Sequence, residues 1–319
     1  MTLNQLRTLV AVADAGSVRA ASERLVISQP AVSGAIATLE RELGVELVEP
    51  EGRGLRFTEA GRAFIASVRA GLSLIEAGAR QAASIDAPAH GSVRIAAITT
   101  AAERLLPSLL AELRRRYPAA QLAVQVGNRA KVFELLEDGS ADLVVAGRPA
   151  RSLRARTLGR TANQLVVVGP RLASDKPPNQ TDLAKATWLL REEGSGTREA
   201  TEALLGQLGI DPPRMILGSN GAVEQAAIAG VGLALISLDA VAGSLSGDRL
   251  SIYQCRGTPL DRPWHLLGPA RRLSPTAVLA ATTMLTVPGG FAPSVEGRRV
   301  LALARSFELR SNGDGAAAP

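Results

Sequence analysis

The 319-residue chain contains one cysteine, Cys255, and two histidines, His90 and His265. A single thiol excludes a disulfide framework and any multi-cysteine metal site. Two imidazoles leave little for a histidine-based zinc site or a Ser-His-Asp triad. No catalytic residue, metal ligand or cofactor is therefore assigned, and an enzyme is not expected. Aromatic residues make up 3% of the chain, so any core must be aliphatic. No apolar run reaches the ~18 residues of a membrane-spanning helix; the longest candidate, Gly230 to Gly243, is interrupted by Asp239. The N-terminus carries Arg7 and Asp14 in an amphipathic pattern rather than the uniform apolar stretch of a signal peptide. A cytoplasmic protein with no membrane partner is the expectation.

What is present is ordinary for a folded chain: 46% hydrophobic and 21% charged residues, enough for roughly two domains. The formal charge is +6, but its placement matters more than its sum. Residues 1–60 hold six arginines against eight acids, whereas residues 91–200 hold 17 basic and 11 acidic side chains. The cationic excess therefore lies away from the N-terminus.

Residues 1–57 read as short helices followed by a hairpin. Leu3, Leu6, Leu9, Val10 and Ala13 recur at helical spacing up to Gly16. Ser17 is placed to cap a second helix whose apolar face is Val18, Ala21 and Leu25. After the short turn at Val26-Ile27, Ser28 is placed to cap a third helix, and Pro30 is tolerated in that helix's first turn. Val45–Val48 and Leu55–Phe57 are strand-like around a turn at Pro50-Glu51-Gly52-Arg53-Gly54. A helix, a tight turn and a second helix fit a helix-turn-helix, with the hairpin as a wing. Such a motif reads the major groove with short or bidentate polar groups near the start of the second helix. Gln29 suits an adenine edge, Ser33 a base or phosphate, and Arg53 at the hairpin tip a phosphate. The competing reading is a small three-helix domain in which Ser28 is only a cap and Gln29 only a solvated residue.

Thr58 is placed to cap a long helix from Glu59 to about Ala83, with Phe64, Val68, Leu72 and Ile75 at helical spacing. Alone it is too thin to form a core, and its small residues permit close approach of a second helix, so dimerisation is expected there. Asp86 to Gly91 reads as a hinge. From Ser92 strand-like runs (Val93–Ile98, Leu122–Val126, Leu143–Ala146, Leu165–Val168, Trp188–Leu190, Met215–Leu217, Leu233–Ile236, Trp264–Leu267) alternate with helical patterns such as Ala102–Tyr117. This is α/β grammar. Ligand clefts in such folds form at strand carboxyl ends and helix N-termini, where free N–H groups attract anions. Thr99-Thr100, Asn128, Arg148, Ser195-Gly196-Thr197 and Asn220 occupy such positions, which suits a small anionic ligand. Gly194–Arg198 is not a P-loop, and a lone Gly-Ser-Gly is commonly just a turn. Cys255 reads as structural, and His265 beside Trp264 as a packed or surface histidine.

Several of these segments are shared with one family. Leu3-Asn4-Gln5-Leu6-Arg7, Ala20 to Leu25, Ser28-Gln29-Pro30-Ala31-Val32-Ser33, Glu42-Leu43-Gly44 and Thr58-Glu59-Ala60-Gly61 resemble the LysR-type transcriptional regulators. Arg191 to Arg198, Val126-Gly127-Asn128, Gly147-Arg148-Pro149 and Ser219-Asn220 resemble the branch that includes the Calvin-cycle operon regulators. Two departures stand out: Gly34 where a long polar side chain is frequent, and Val48-Glu49-Pro50 where the wing normally starts with Phe-x-Arg.

The resemblance implies an α/β protein with an N-terminal winged helix-turn-helix and a two-lobed effector domain like the periplasmic binding proteins. The boundaries it suggests are 1–58 for DNA binding, 59–86 for a dimerising linker helix and 87–91 for the hinge. An effector domain would span 91–302, with lobe I at 91–163 and 265–290 and lobe II at 164–264, followed by a disordered tail at 303–319. It places Ser28, Gln29, Pro30, Ser33 and Arg53 on a dyad-symmetric double-stranded DNA site. It places Thr99, Thr100, Asn128, Arg148, Ser195, Gly196, Thr197 and Asn220 around a small anionic metabolite, in a homodimer or homotetramer. The other reading kept open is a solute-binding protein with no transcriptional role.

Overall fold

The structure is a computed structural model and describes residues 1–52, 54–172 and 180–313, with side chains to residue 307. The chain divides into two compact units, one of residues 1–79 and 138–140, the other of residues 80–137 and 141 onward.

The first unit contains α1 (Leu3–Ala15), α2 (Val18–Leu25), α3 (Gln29–Leu43), the hairpin β1 (Val48–Glu51) and β2 (Gly54–Phe57), and most of α4 (Glu59–Ala83). Each of the first three helices is started by a hydroxyl. Thr2 forms a capping box with Gln5, Ser17 accepts from the Ala20 amide at 3.1 Å, and Ser28 accepts from the Ala31 amide at 3.3 Å. Gly16 and Gly44 end α1 and α3 in the left-handed conformation that glycine adopts without penalty. Val26 ends α2 in the same region, at φ 56°, where a β-branched residue is strained. The core is Leu9, Val12, Ala21, Val32, Ile36, Leu39 and Leu47, joined by Ile65 of α4. Thr58 holds the start of α4: its hydroxyl donates to the Glu46 carbonyl at 2.8 Å and accepts from the Gly61 amide at 2.9 Å. Gly61 lies directly against the Leu47 backbone, where a Cβ would collide with the carbonyl oxygen. The hairpin differs from expectation: its strands run through Pro50 and Glu51, and residues 45–47 lie outside them. Pro50 is accommodated because a two-stranded ribbon consists only of edges.

In the second unit follow β3 (Ser92–Ile98), α5 (Thr99–Arg104), α6 (Leu106–Arg116), β4 (Gln121–Gly127), α7 (Arg129–Glu137), β5 (Leu143–Ala146) and β6 (Ala155–Thr161). Next come β7 (Gln164–Pro170), α8 (Gln180–Lys185), β8 (Trp188–Arg191), α9 (Gly196–Leu208), β9 (Arg214–Leu217), α10 (Asn220–Ile228), β10 (Ala234–Ser237), α11 (Leu238–Ser246), β11 (Leu250–Ile252) and β12 (Leu260–Asp261). The chain closes with β13 (Trp264–Pro269), α12 (Pro275–Thr286), β14 (Ala292–Pro293) and α13 (Val295–Gly313).

Lobe I is a six-stranded sheet of order β14-β6-β13-β5-β3-β4, with β3 parallel to both β4 and β5. One face packs on α6, α12 and α13 through residues such as Ile95, Leu109, Leu266, Met284 and Val300; the other packs on α7 through Val132, Val144 and Leu267. Lobe II gathers β10, β11 and β12 around β7, with β8 and β9 as a parallel pair beside them. Its two faces are covered by α9 and α10, through clusters around Trp188 and Leu204 and around Val223 and Ile236. The chain passes between lobes at residues 162–163 and 262–263. These two crossings are tied together: the Arg262 amide donates to the Asn163 carbonyl at 2.9 Å, and the Asn163 side-chain amide donates to the Arg262 carbonyl at 2.8 Å.

Three further expectations differ from the structure. The helix expected over Ala102–Tyr117 is two helices with a break at Leu105, because Pro107 lacks an amide hydrogen and its ring crowds the carbonyl four residues earlier. Lobe I does not end near residue 290: β14 pairs with β6, and α13 packs on the same core through Val300 and the buried Ala304. The tail expected to be disordered from residue 303 is instead helical to Gly313, since burial of Ala304 anchors it; residues 314–319 lie outside the described residues. No helix among the described residues is long and apolar enough to cross a membrane.

Candidate functional sites

In the first unit, α3 points Val32, Ile36 and Leu39 inward, which turns Gln29, Pro30 and Ser33 outward. Ser28 is exposed as well, with its hydroxyl engaged as the helix cap. The start of α3 therefore offers one amide side chain, one hydroxyl and a small apolar ring on a single exposed surface. Arg53 lies outside the described residues. Arg56 of the hairpin is held by two carboxylates, Glu49 at 2.7 Å and Glu51 at 3.5 Å, so its charge is locally balanced.

In the second unit the two lobes enclose a cavity of about 800 Å³. All eight ligand-site candidates line it: Thr99, Thr100, Asn128, Arg148, Ser195, Gly196, Thr197 and Asn220. The topology explains why they meet. Thr99, Asn128 and Arg148 follow the carboxyl ends of β3, β4 and β5, while Asn220 and the Ser195–Thr197 segment open α10 and α9 on the facing lobe. Ser195 occupies the cap position of α9 but its side chain makes no capping bond, so the hydroxyl and the first amides of the helix remain available to an anion.

Several hydrogen bonds join the lobes around this space. The buried Asn220 accepts from the Arg191 guanidinium and donates to the Thr100 hydroxyl. The Asn128 side chain donates to the Glu193 carbonyl at 3.2 Å, and the Ala130 amide to the Gly194 carbonyl at 3.2 Å. Arg129 makes an ion pair with Glu199 at 2.6 Å and lies over the Phe133 ring at 5.2 Å. Arg191 is itself buried and forks onto Glu192 through bonds of 2.7 and 2.8 Å. Partial burial pushes the Glu192 carboxyl up, but the Arg191 bonds outweigh it and hold the group below its usual range.

Of the six arginines on the cavity wall, strand-end patterns pointed to Arg148 and Arg129 and the family resemblance to the segment beginning at Arg191; Arg151, Arg160 and Arg262 were not foreseen. Two acids, Glu199 and Asp261, line it as well. Glu199 is engaged by Arg129, and Asp261 accepts from the Gln164 amide at 2.9 Å. Arg160 lies in Ala155–Thr161, a segment with two arginines that is absent from the strand-like runs of the sequence; tertiary pairing makes it β6. His265, expected to be packed or on the surface, is buried and also lines the cavity. Burial, and then the charges of Arg160 and Arg148, push its imidazole below the usual value. Cys255 is half-buried, its thiol near the Thr258 hydroxyl, and burial pushes it up, away from the reactive thiolate. Among the described residues no cluster of histidine, cysteine and acidic side chains could hold a metal ion.

A helix-turn-helix with a β-hairpin, a long helix and a two-lobed α/β unit with a polar interlobe cavity define a ligand-responsive regulator. Two family models match accordingly: "Bacterial regulatory helix-turn-helix protein, lysR family" over residues 3–62 and "LysR substrate binding domain" over residues 86–286. The chain belongs to the LysR family of transcriptional regulators. It is 36% identical to the RuBisCO operon transcriptional regulator of Allochromatium vinosum over 87% of this chain and 93% of that one. It is 33% identical to CbbR of Rhodospirillum rubrum, over 86% and 93% of the respective chains. Among solved structures, the LysR family regulator CbnR matches with a TM-score of 0.66 at 23% identity, covering 89% of this chain and 98% of that one. The regulatory domain of Synechocystis CcmR, solved in complex with 2-PG, matches with a TM-score of 0.53 at 25% identity, covering 68% and 96%.

Proposed function

We propose that this chain is a sequence-specific DNA-binding regulator whose output is set by a small anionic metabolite held between the two lobes of its second unit. The observation that carries the reading is the convergence of polar residues from five strand and helix ends on one cavity with an excess of arginines. Gln29 and Ser33 contact base edges and phosphates from the start of α3, and a dyad-symmetric double-stranded site is read by two copies. Leu74 and Ile75 of α4 are exposed apolar side chains, which supports pairing of copies through this helix into a dimer or tetramer. The relative CcmR was solved with a small ligand on its regulatory domain, which supports a ligand in the same domain here. The ligand acts by binding one arrangement of lobes and subunits more tightly than the other; without unequal affinity it would shift nothing.

Mobility shift with DNA flanking the chain's own gene tests the first half. A specific complex at moderate salt is expected, weakened about tenfold by Gln29→Ala, since a bidentate base contact is worth about 1–3 kcal/mol. Absence of any sequence-specific complex would overturn the reading. For the second half, phosphate esters and organic acids should alter that complex, and Ser195→Ala should blunt the response. A response untouched by Ser195→Ala would remove α9 from the ligand site.

A further inference from the structure

The elements of lobe I lead from the cavity to a second polar centre. Thr99, Asn128, Arg148 and His265 line the cavity at one end of β3, β4, β5 and β13. At the opposite ends, Asp142 immediately precedes β5 and Arg271 lies two residues beyond the end of β13. The helix α7 opens beside the cavity at Arg129 and ends at Glu137, just before the loop that carries Ser140 and Asp142. Only β5 separates Asp142 from Gly147 of the cavity wall, about 16 Å at the usual rise per residue.

Asp142 is buried, and most of its polar atoms are committed. Its amide donates to the Arg94 carbonyl at 2.8 Å, and its Oδ2 accepts from the Arg94 amide at 2.9 Å, which fastens the residue to β3. Oδ1 is left to two cations. Arg80, in the last turn of α4, reaches it with Nη2 at 3.3 Å, longer than the 2.7–2.9 Å usual for such a pair. Arg271 approaches the same oxygen with Nη2 at 3.9 Å, too far for a hydrogen bond. The Arg156 guanidinium holds the Pro269 and Arg271 carbonyls at 3.0 and 2.7 Å, which fixes the chain there but not the Arg271 side chain. Burial pushes the Arg271 guanidinium below its usual value; Asp142 raises it and the charge of Arg80 lowers it, so the two cations repel across the carboxylate. Arg80 Nε and Arg271 Nη2 are both buried without a hydrogen-bond partner, and each side chain gains by moving closer to Oδ1 at the other's expense.

The same loop touches α4 a second time. The Ser140 hydroxyl lies 3.0 Å from that of Ser73, and Asp138 accepts from the Ser140 amide at 2.7 Å. Residues 138–140 and Ser73 belong to the first compact unit, Arg80 and Asp142 to the second, so each contact lies within one unit.

We infer that Asp142 is a positioning residue that alternates between Arg80 and Arg271, and that this exchange ties the last turn of α4 to the state of the cavity. With Arg80 at bonding distance, the end of α4 is held; with Arg271 there instead, it is released. Because β5 and β13 run from the cavity wall to the two partners, a sub-ångström shift at their cavity ends decides which cation is nearer, and a bistable contact amplifies such a shift. The coupling rests on reading the cavity as the effector site; the alternation does not.

Hydrogen exchange of the full chain without ligand tests this, read on the end of α4 around Arg80. Arg80→Gln should speed exchange there about three- to tenfold, since a charge-assisted contact is lost. Asp142→Asn, whose carbonyl oxygen still accepts from the Arg94 amide, should speed it similarly. Arg271→Gln should slow it by about twofold, because Asp142 then has one partner instead of two. A fixed anchor would be loosened or left unmoved by losing either arginine, so opposite signs are the mark of competition. Unchanged exchange in Arg80→Gln or Asp142→Asn, or unchanged or faster exchange in Arg271→Gln, refutes the alternation. For the coupling, Asn220→Ala disturbs the cavity from lobe II. It should change exchange at the end of α4 by about twofold or more, and the change should vanish when Asp142→Asn is added. No change at α4, or a change that persists with Asp142→Asn, refutes the coupling and leaves the effector reading standing. Failure of the effector reading in the mobility-shift test leaves the Arg80 and Arg271 results untouched.

Discussion

Asn220 is the side chain on which the closed arrangement of the lobes can be tested most sharply. It is buried, it accepts from the guanidinium of Arg191 in lobe II, and it donates to the Thr100 hydroxyl in lobe I. Asn220→Ala removes one charge-assisted bond, worth about 1.5–3 kcal/mol, and one neutral bond, worth about 0.5–1.5 kcal/mol. The gross loss is reduced because Arg191 keeps both Glu192 bonds and because the vacated space opens on a cavity that water can enter. The expected cost is about 2 kcal/mol. With a urea dependence near 3 kcal/mol/M for a unit of this size, the midpoint should fall by about 0.7 M. The chain reports on itself: its two tryptophans, Trp188 in lobe II and Trp264 in lobe I, are both buried, and the first unit has none. Tryptophan fluorescence therefore follows the second unit alone. Asn220→Asp is the companion variant, since its carboxylate accepts from both Arg191 and the Thr100 hydroxyl. It should recover most of the lost stability while weakening anion binding, because it adds negative charge to the wall. A midpoint shift under about 0.2 M for Asn220→Ala, about 0.6 kcal/mol at that dependence, would mean that the bridge is not formed in solution.

Two further perturbations address the first unit. Val26→Gly should raise its stability by about 0.5–1 kcal/mol: the left-handed conformation costs a β-branched residue about 1–2 kcal/mol, partly offset by glycine's greater freedom when unfolded. Val26 is 89% exposed, so no core contact is lost, and a fall in the thermal midpoint by circular dichroism would contradict the assignment of strain. Gly61→Ala should destabilise the unit by about 1–3 kcal/mol, because the new methyl meets the Leu47 carbonyl, a backbone group that cannot swing aside. Unchanged melting of Gly61→Ala would show that α4 does not sit against Leu47.

Local chemistry made much of this protein legible before folding was considered. Ser17 and Ser28 are caps because a hydroxyl before a helix finds unpaired amides within three residues, whatever surrounds it. Gly16 and Gly44 end helices because the left-handed turn is open to glycine. The alternation of buried Val32, Ile36 and Leu39 with outward Gln29 and Ser33 follows from helical period alone. Strand ends before Thr99, Asn128 and Arg148 could be read for the same reason. Wherever a property depended on a distant partner, the one-dimensional pattern was silent. Ala155–Thr161 alternates poorly and carries two arginines, and it is a strand only because β13 and β14 flank it. Residues 303–313, expected to be disordered, are helical because Ala304 finds a place in the lobe I core. Arg160 and His265 are 105 residues apart in the chain, and only the β6–β13 register makes them neighbours on one cavity wall. The sequence by itself determined the helix caps and stops of the first unit and the strand ends that carry polar residues, since these rest on interactions within a few residues. Tertiary structure alone decided which charges were paired and which were left facing the cavity, because pairing depends on contacts between residues scattered over the whole second unit.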